Sequence, residues 1–381
     1  MTAFLYRVLS ESDLYRPEVI SLATSASDKA SVLLHSPGTW REKVRIQSDS
    51  WNGVPYQHVG AVWSEFEFQR YQSRRVLTDL FNQYDLIQIV GGTPAWAWVA
   101  HSVPVPKCLF AATMASQERA SLVDDAGGWR RYWVKIMTHL TAQIDRRALA
   151  SVDYVFAESD YTRNLFAQHV KPECLGLGPP GVDTRLFTPG KEDQSKGCII
   201  SVGRFRDPRK NVRMLLEAYR RLRHMLASAP RLALVGRTGL SPQDTAYAES
   251  LGIIEFIDLH TDVDPDKLCA LYQSANLFVL SSNEEGLGIV ILDAMACGLP
   301  VVTTDCGGPA TAVIEGETGL LTPVKDPQAF AEKMLYLLQN PNYMKQMGIA
   351  GRRRVEEKFS IDTASQIYLN KYDELLNRHK G

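Results

Sequence analysis

A turn containing two glycines in the C-terminal half of the sequence is suited to bind an anion. The segment NEEGLGIVILDAMACGLPVV (283–302) follows an apolar strand pattern and leads into a helix pattern. Gly286 and Gly288 carry no Cβ, so a ligand can approach the backbone closely there. We expect the N–H groups of Gly286, Leu287, Gly288 and Ile289 to lie near a helix N-terminus. Such N–H groups and the helix dipole favour a phosphate at this place.

Two acidic residues accompany this turn and are suited to bind sugar hydroxyls. Asp293 follows Glu285 by eight residues, or about two helical turns, so both carboxylates are expected to face the same ligand. A carboxylate accepts hydrogen bonds and each hydroxyl donates one, which makes the pair complementary to a sugar. The composition is also compatible with an ordinary strand-to-helix junction that contains a glycine turn.

A second loop in the same half concentrates positive charge. In SVGRFRDPRKNVRMLLEA (201–218) a strand pattern ends at Gly203. Four cations precede the next helix: Arg204, Arg206, Arg209 and Lys210. Fixed cations stabilise the charge that grows on a diphosphate leaving group as a glycosidic bond breaks, because that charge is larger in the transition state. Arginine can bind two phosphate oxygens and lysine acts as a point charge. For any one of these residues a solvated surface role is commoner, but two such loops in one half-chain favour a site.

The elements that must position these loops alternate along the chain. The apolar segments VISLA (19–23), SVLLH (31–35) and LIQIV (86–90) are predicted strands, and 66–83 and 130–149 are predicted helices. This alternation is typical of βαβ units and a parallel sheet. The predicted fold is therefore α/β, with two Rossmann-like doubly wound domains. Ligands on such sheets bind outside the carboxyl ends of the strands, so we expect the domains to face each other across a cleft.

A Gly- and Pro-rich stretch that turns polar, 175–197, marks the predicted linker. We place one domain at 1–187, a second at 188–358, and a C-terminal helix at 359–381 that packs back on the first domain. The helix pattern TAFLYRVLS stands directly before VISLA, whereas a Rossmann-like domain normally opens with a strand and a glycine-rich turn. Either a preceding segment is missing or the domain is built without these elements, and we favour the first.

Composition excludes several classes of protein. The 381 residues are 45% hydrophobic and 22% charged, which is enough apolar material for two cores. The net charge of −1 gives no basis for nucleic-acid binding. There is no apolar run of about 18 residues, so we expect no transmembrane helix. The six cysteines form no C-x-x-C pair, which favours reduced thiols in the cytoplasm over disulfides or a zinc site.

Together these motifs resemble those of the retaining glycosyltransferases of family 4, which have the GT-B fold. PPGVDTRLFTP (179–189) resembles the family's interdomain signature, and SVGRFRDPRKN (201–211) resembles its glycine–arginine…lysine donor loop. EEGLGIVILDAMACGLPVVTTDCGGP (284–309) resembles its E-x7-E stretch and the glycine-rich turn that follows. The resemblance extends over nearly the whole chain, densely from about residue 154 to 325 and weakly before.

The resemblance implies a role for each matching residue. Arg204 and Lys210 match the pair that holds the donor diphosphate, and Glu285 matches the glutamate that contacts the transferred sugar. Asp293 stands where a second glutamate binds the nucleotide ribose. The implied donor cradle comprises Gly203, Gly286, Leu287, Gly288 and Ile289. The family needs no metal and no cofactor, since the nucleotide-sugar is a co-substrate. It retains the anomeric configuration by attack on the face that the leaving group departs from.

The sequence departs from the family pattern at several positions. Asp293 is one methylene shorter than the family's second glutamate, so its carboxylate reaches less far toward a ribose. The missing first strand and turn lie near the acceptor in the family. Many members also carry a histidine after the fourth strand of the first domain, and the matching segment CLFAATMASQERAS (108–121) has none.

Other residues of the first domain are candidates for the acceptor side. They are Thr113, Glu118 and Arg119, together with Gly91 and Gly92. A surface ion pair between Glu118 and Arg119, and a plain strand-to-helix turn at the two glycines, are the alternatives.

The implied function is transfer of a hexose-type sugar from a UDP- or GDP-sugar to a hydroxyl of a glycan, lipid or small-molecule acceptor. A nucleotide-sugar epimerase of the same fold, and a catalytically silent protein that binds nucleotide-sugar or a partner transferase, stay open. The aromatic and basic segment 127–151 leaves open a peripheral contact at the inner face of a membrane that holds a lipid-linked acceptor. A helix packed in the first domain, with a solvated basic side, is favoured over that contact.

Overall fold

The computed structural model describes residues 1–51, 53–120, 127–190 and 197–380. These residues divide into two compact units. Unit 1 comprises Met1–Glu158, Thr162–Gly178 and Ser365–Gly381, and unit 2 comprises Ser159–Tyr161 and Pro179–Ala364. Within the described ranges, every helix falls short of the length and apolar character that a bilayer crossing requires.

The strands are short, and most of them coincide with apolar runs of the sequence. In chain order they are β1 Val19–Leu22, β2 Ile46–Trp51, β3 Val54–Val59, β4 Ile87–Gly91, β5 Lys107–Ala111, β6 Tyr154–Ala157, β7 Leu175–Leu177, β8 Cys198–Val202, β9 Leu232–Gly236, β10 Ile257–Thr261, β11 Ala275–Leu280, β12 Val301–Thr304 and β13 Gly319–Thr322.

The helices alternate with these strands over most of the chain. They are α1 Thr2–Ser10, α2 Pro37–Glu42, α3 Glu67–Arg70, α4 Arg75–Phe81, α5 Ala115–Glu118, α6 Gly128–Leu149, α7 Asp160–Phe166, α8 Val212–Met225, α9 Pro242–Ser250, α10 Pro265–Gln273, α11 Ile289–Ala296, α12 Pro309–Ala312, α13 Pro327–Gln339, α14 Pro341–Lys358 and α15 Ile361–Lys380. Short 3₁₀ helices occur at Pro94–Ala100, Pro172–Cys174, Pro208–Lys210 and Ile254–Phe256.

Unit 1 contains two sheets. Strands β4, β5, β6 and β7 form a parallel sheet in that order. The second sheet has the order β1-β3-β2, with β1 parallel and β2 antiparallel to β3. From Ser365 onwards α15 belongs to this unit, where Tyr372 donates a hydrogen bond to Gln88 (2.7 Å) and packs edge-on against Phe156.

The two sheets of unit 1 share a cavity. β1 and β4 each have one paired neighbour and one free edge. Residues from the full length of both strands line a cavity of about 1240 Å³, together with residues of α1 and α15. Among the described strands, the free edges of β1 and β4 therefore border the same cavity, which is partly open to solvent.

Unit 2 contains a six-stranded parallel sheet in the order β10-β9-β8-β11-β12-β13. Side chains of a strand alternate between its two faces. Ile199 packs with α8 and α13 on one face, whereas Ile200 packs with α11 on the other. Because β8 and β11 are neighbours, the loops that follow them leave the sheet side by side. These are the basic loop and the glycine turn that the sequence singles out.

The predicted α/β class is confirmed, and so are the predicted helices at the start of the chain and at 130–149, which are α1 and α6. The predicted helix at 66–83 is interrupted and becomes α3 and α4. Part of the predicted linker, 191–196, lies outside the described residues.

The predicted strand at 31–35 is wrong. Only Val32 makes an isolated bridge, to Val62. The Leu33 N–H donates to the Thr39 hydroxyl (2.9 Å), and the Trp40 indole donates to the Leu33 carbonyl (2.7 Å). Side chains thus occupy the backbone groups that a strand would need for pairing.

Candidate active site

The loop after β8 is organised by an aspartate that sequence reasoning did not single out. Asp207 accepts two hydrogen bonds from the Arg209 guanidinium (3.1 and 2.9 Å) and forms an ion pair with Arg204 (3.1 Å). Its carboxylate also accepts the Arg209 N–H (3.1 Å) at the start of the 3₁₀ helix Pro208–Lys210. Burial raises the pKa of Asp207, but the hydrogen bonds and charge of Arg209 outweigh it and hold that pKa below its ordinary value. The Asp-Pro dipeptide, a common turn start, was the available signal.

Lys210 and Glu285 form an ion pair that joins the two predicted loops. The Lys210 ammonium donates to Glu285 Oε1, and the Ser282 hydroxyl donates to the same oxygen (2.6 Å). The side chains of Lys210 and Glu285 are only 15% and 11% exposed. Removing either partner would leave a half-buried charge without compensation, which is costly. The pair is therefore a fixed feature of unit 2 before any ligand binds.

Further hydrogen bonds hold the two loops in register. The Ser281 hydroxyl donates to the Lys210 carbonyl (3.0 Å), and the Asn283 N–H donates to the Arg209 carbonyl (2.7 Å). The Asn211 side-chain amide donates to the Asn283 side chain (2.9 Å). The positions of Lys210 and Glu285 are thus set by backbone contacts as well as by their own attraction.

The predicted glycine turn leads directly into α11. Gly288 has a φ of +82° and precedes the first residue of the helix, Ile289, which is exposed. Leu287 is buried and anchors the turn in the core. Gly308 comes close to this turn, because a Cβ on it would lie 2.2 Å from the Gly286 carbonyl oxygen. The Gly308 N–H donates to the Glu285 carbonyl (3.0 Å).

Asp293 lies in the second turn of α11 and is partly exposed. Among the residues that the structure describes, no hydrogen bond or ion pair to its carboxylate is found. Burial raises the pKa of Asp293 to about 7. A desolvated carboxylate of this kind is stabilised when hydroxyl groups donate hydrogen bonds to it, because each of these bonds favours its charged form.

Asp293→Asn is expected to raise the free energy of unfolding at pH 8 and to leave it almost unchanged at pH 4. The folded-state pKa lies above the unfolded value, so stability falls as pH rises from about 4 to about 7. The shift sets an upper limit of about 4 kcal/mol, and we expect roughly 2 kcal/mol because the side chain is partly exposed. Urea denaturation at both pH values measures it, with Asp266→Asn, an exposed position in α10, as the control. An equal gain at both pH values would contradict a desolvated charge.

The predicted acceptor-side residues lie in unit 1, and Arg119 already has structural partners there. Arg119 forms an ion pair with Glu67 and donates to Thr141 (3.3 Å). The alternative of a surface ion pair with Glu118 is wrong, because the side chain is mostly buried and pairs with Glu67 instead.

Of the other acceptor-side candidates, Gly91, Gly92 and Thr113 lie at the ends of β4 and β5, and Glu118 is the last residue of α5. The Gly92 carbonyl, next to Gly91, accepts the Thr113 N–H (3.0 Å), and Thr113 is buried. Glu118 reaches toward Gly92, with Oε1 3.6 Å from where a Cβ on that glycine would be.

Sequence reasoning also missed a buried carboxylate in unit 1. Asp145, in α6, accepts the N–H groups of Ala95 and Ala115, both at 2.8 Å. Burial raises the pKa of Asp145 to about 6 although both N–H groups and Arg119 oppose that rise. Asp145 is the first acidic residue of α6. A lone carboxylate in a helix that is otherwise basic was the feature of the sequence that could have indicated its role.

The residues that carry the Lys210–Glu285 pair fall within the match to a known family model. Residues 183–354 match the family model described as glycosyl transferases group 1. The chain is 27% identical over 329 residues to the GDP-mannose-dependent alpha-(1-6)-phosphatidylinositol monomannoside mannosyltransferase of Mycolicibacterium smegmatis, covering 81% of this chain and 85% of that protein. It is 32% identical over 195 residues to the D-inositol 3-phosphate glycosyltransferase of Segniliparus rotundus, covering 47% and 42%. The chain spans about half the length of most of the curated relatives that it matches, which include further D-inositol 3-phosphate glycosyltransferases.

Solved structures share the fold of the chain. Sucrose-phosphate synthase from Thermosynechococcus elongatus superposes with a TM-score of 0.75 at 21% identity, covering 98% of this chain and 92% of that one. The Anabaena protein HepE, in complex with UDP-glucose, gives 0.64 at 18% identity, covering 80% and 82%. The chain therefore has the GT-B fold, and its residues 183–354 match the glycosyl transferases group 1 model.

Proposed function

We propose that the chain is a retaining, metal-independent glycosyltransferase that moves a hexose-type sugar from a UDP- or GDP-sugar to a hydroxyl acceptor. The observation that carries this proposal is the Lys210–Glu285 pair, held beside a glycine turn and the start of α11 at the ends of adjacent strands. The site offers a cation and N–H groups for a diphosphate, and a carboxylate for sugar hydroxyls.

Donor binding would exchange the internal ion pair for ligand contacts. In the free protein Lys210 and Glu285 neutralise each other in a half-buried position. A donor brings phosphate oxygens for Lys210 and hydroxyl groups for Glu285, so each side chain gains a partner of matching chemistry. Arg204, which is exposed and paired with Asp207, supplies a second cation for the diphosphate. Asp293 would accept the ribose hydroxyls.

In the proposed reaction, the bond between the anomeric carbon and the diphosphate oxygen breaks as the acceptor oxygen bonds to the same face of that carbon. The acceptor's proton passes to the departing phosphate oxygen, so no protein carboxylate acts as nucleophile. Lys210 stabilises the charge that develops on the leaving group. Glu285 holds the sugar hydroxyls so that the face of the anomeric carbon that the leaving group vacates stays within reach of the acceptor oxygen.

The named relatives support the donor and acceptor classes. The Mycolicibacterium relative is named for GDP-mannose and a phosphatidylinositol monomannoside, and the Segniliparus relative for an inositol phosphate. HepE has been solved with UDP-glucose. We therefore infer a glycan, lipid-linked or polyol acceptor. A cytoplasmic location, at the inner face of a membrane when the acceptor is a lipid, belongs to the same proposal.

A binding and turnover panel without added metal tests the proposal. We expect one nucleotide among UDP, GDP and ADP to bind with micromolar affinity in calorimetry, and Lys210→Ala and Arg204→Ala to weaken its sugar-nucleotide form. Arg206→Ala is the control, because Arg206 is an exposed cation of the same loop. Transfer to an acceptor panel should be unchanged by EDTA.

Other results would select an alternative. Conversion of UDP-N-acetylglucosamine to an epimer, with no transfer to any acceptor, would indicate the epimerase. Binding without any turnover of the sugar-nucleotide would indicate the silent protein. Loss of transfer in EDTA, restored by a divalent cation, would contradict metal independence.

A further inference from the structure

The first half of α6 exposes an apolar stripe to solvent. Trp129, Tyr132, Trp133 and Ile136 are all exposed, with Trp129 reaching 90%. Their spacing of three and four residues places them on one face of a helix. The buried residues of α6 begin only at Thr141. The first half of the helix, about three turns or roughly 18 Å long, therefore carries large apolar side chains that the described part of unit 1 leaves uncovered.

Basic residues flank this stripe, and acidic residues are excluded from it. Arg130, Arg131 and Lys135 are exposed. At 100° per residue, Arg130 and Lys135 lie on the two sides of the stripe, each about 110° from its centre, whereas Arg131 lies on nearly the opposite face of the helix. No Asp or Glu occurs between residues 127 and 144, although the whole chain has 43 acidic and 42 basic residues. Residues 127–144 thus carry three Arg and Lys side chains and no acidic one, although Asp124 and Asp125 precede this segment in the sequence.

The second half of α6 fixes the exposed half in place. Asp145 binds the N–H groups of Ala95 and Ala115, and Ala148 and Leu149 pack in the core of unit 1. The aromatic stripe is therefore presented on a rigid support and loses little conformational entropy on binding.

We propose that the first half of α6 docks on an anionic membrane surface as an interfacial helix, with its aromatic rings in the headgroup region. Tryptophan and tyrosine favour that region because their rings are apolar and their N–H and O–H groups remain hydrated. Flanking cations add attraction to anionic lipids. A protein partner or a second copy would need a complementary acidic and apolar face, and the charge pattern favours the lipid surface. This inference does not depend on the glycosyltransferase proposal.

Vesicle co-sedimentation of the full chain tests the docking surface. We expect binding to vesicles with about 30% phosphatidylglycerol, weak binding to pure phosphatidylcholine, and loss of binding as salt rises from about 0.05 to 0.5 M. Trp133→Ser should lower the partition coefficient about tenfold. Trp51→Ser is the matched control, because Trp51 is 54% exposed and Trp133 is 55% exposed, and it should bind like the wild type.

A charge variant and an oligomer measurement complete the test. Arg130→Gln/Lys135→Gln removes the two cations that flank the stripe, keeps the rings, and should lose the preference for anionic vesicles. Equal binding to neutral and anionic vesicles, or equal losses in the Trp133 and Trp51 variants, would overturn the proposal. A wild-type dimer in light scattering that Trp133→Ser dissociates, with no vesicle binding, would overturn it in favour of a second copy. Unchanged melting temperatures show that the variants are folded.

Discussion

Lys210→Ala is expected to lower kcat about a thousandfold while weakening binding of the free nucleotide by a factor of about ten or less. The reason is that the diphosphate gains charge as the glycosidic bond breaks, so the ammonium interacts more strongly with the transition state than with the bound donor. The half-buried position of Lys210 strengthens this effect, because solvent screens its charge less than it screens that of Arg204. Steady-state kinetics and calorimetry on the same preparation separate the two quantities.

The control for Lys210 comes from its own loop. Arg206→Ala removes an exposed cation from the same loop and should leave kcat within about twofold of the wild type. Losses of similar size in the two variants would show that the loop contributes only a general positive field. A large loss of nucleotide affinity in Lys210→Ala, with kcat unchanged, would assign the lysine to ground-state binding.

Glu285→Gln is expected to lower kcat about a hundredfold, since hydrogen bonds to charged groups contribute about 1.5–3 kcal/mol. Glutamine has the same shape, but it replaces a carboxylate oxygen with a donor and gives up the charge that holds Lys210. Affinity for the free nucleotide, which lacks the sugar, should change little. Donor hydrolysis and transfer assays, compared with calorimetry of the nucleotide, measure this difference. Glu284→Gln, at the neighbouring position, serves as the control for charge alone.

A double-mutant cycle distinguishes a catalytic pair from two independent residues. Glu285→Gln leaves the Lys210 ammonium half-buried without its carboxylate, so that variant should melt earlier than the wild type. In the double variant with Lys210→Met, stability should recover, and kcat should fall little further than in the worse single variant. Additive losses in kcat would contradict the view that the two side chains act as one unit in the transition state.

The fold of unit 2 was predictable because local patterns agree with the final structure there. Apart from the edge strand β10, its strands are short and mostly buried runs in a parallel sheet, and α8, between β8 and β9, is long and amphipathic. The two chemically suggestive loops follow β8 and β11, and strand adjacency brings them together. Because local sequence patterns do not reveal the order of strands in a sheet, the contact between Lys210 and Glu285 could not be predicted from the sequence alone.

Unit 1 was less predictable for physical reasons that particular residues show. The β2–β3 hairpin carries mostly exposed side chains, so it has no apolar pattern to signal it. Leu33 lies in an apolar run, but Thr39 and Trp40 occupy its backbone groups. Arg119 resembles a ligand-binding cation in the sequence, yet Glu67, 52 positions earlier, is its partner. Contacts between residues so far apart leave no mark on local spacing.

The cavity between β1 and β4 bears on how the protein behaves when concentrated. An unpaired strand edge is a template on which another molecule can add a strand, and proteins commonly protect such edges with charges, prolines or bulges. In unit 1 both free edges border the same partly open cavity, with residues of α1 and α15 among its walls. A strand from a second molecule would have to fit within that cavity before it paired with either edge. The walls of the cavity thus restrict access to two apolar edges, and the strands themselves carry no charged residue.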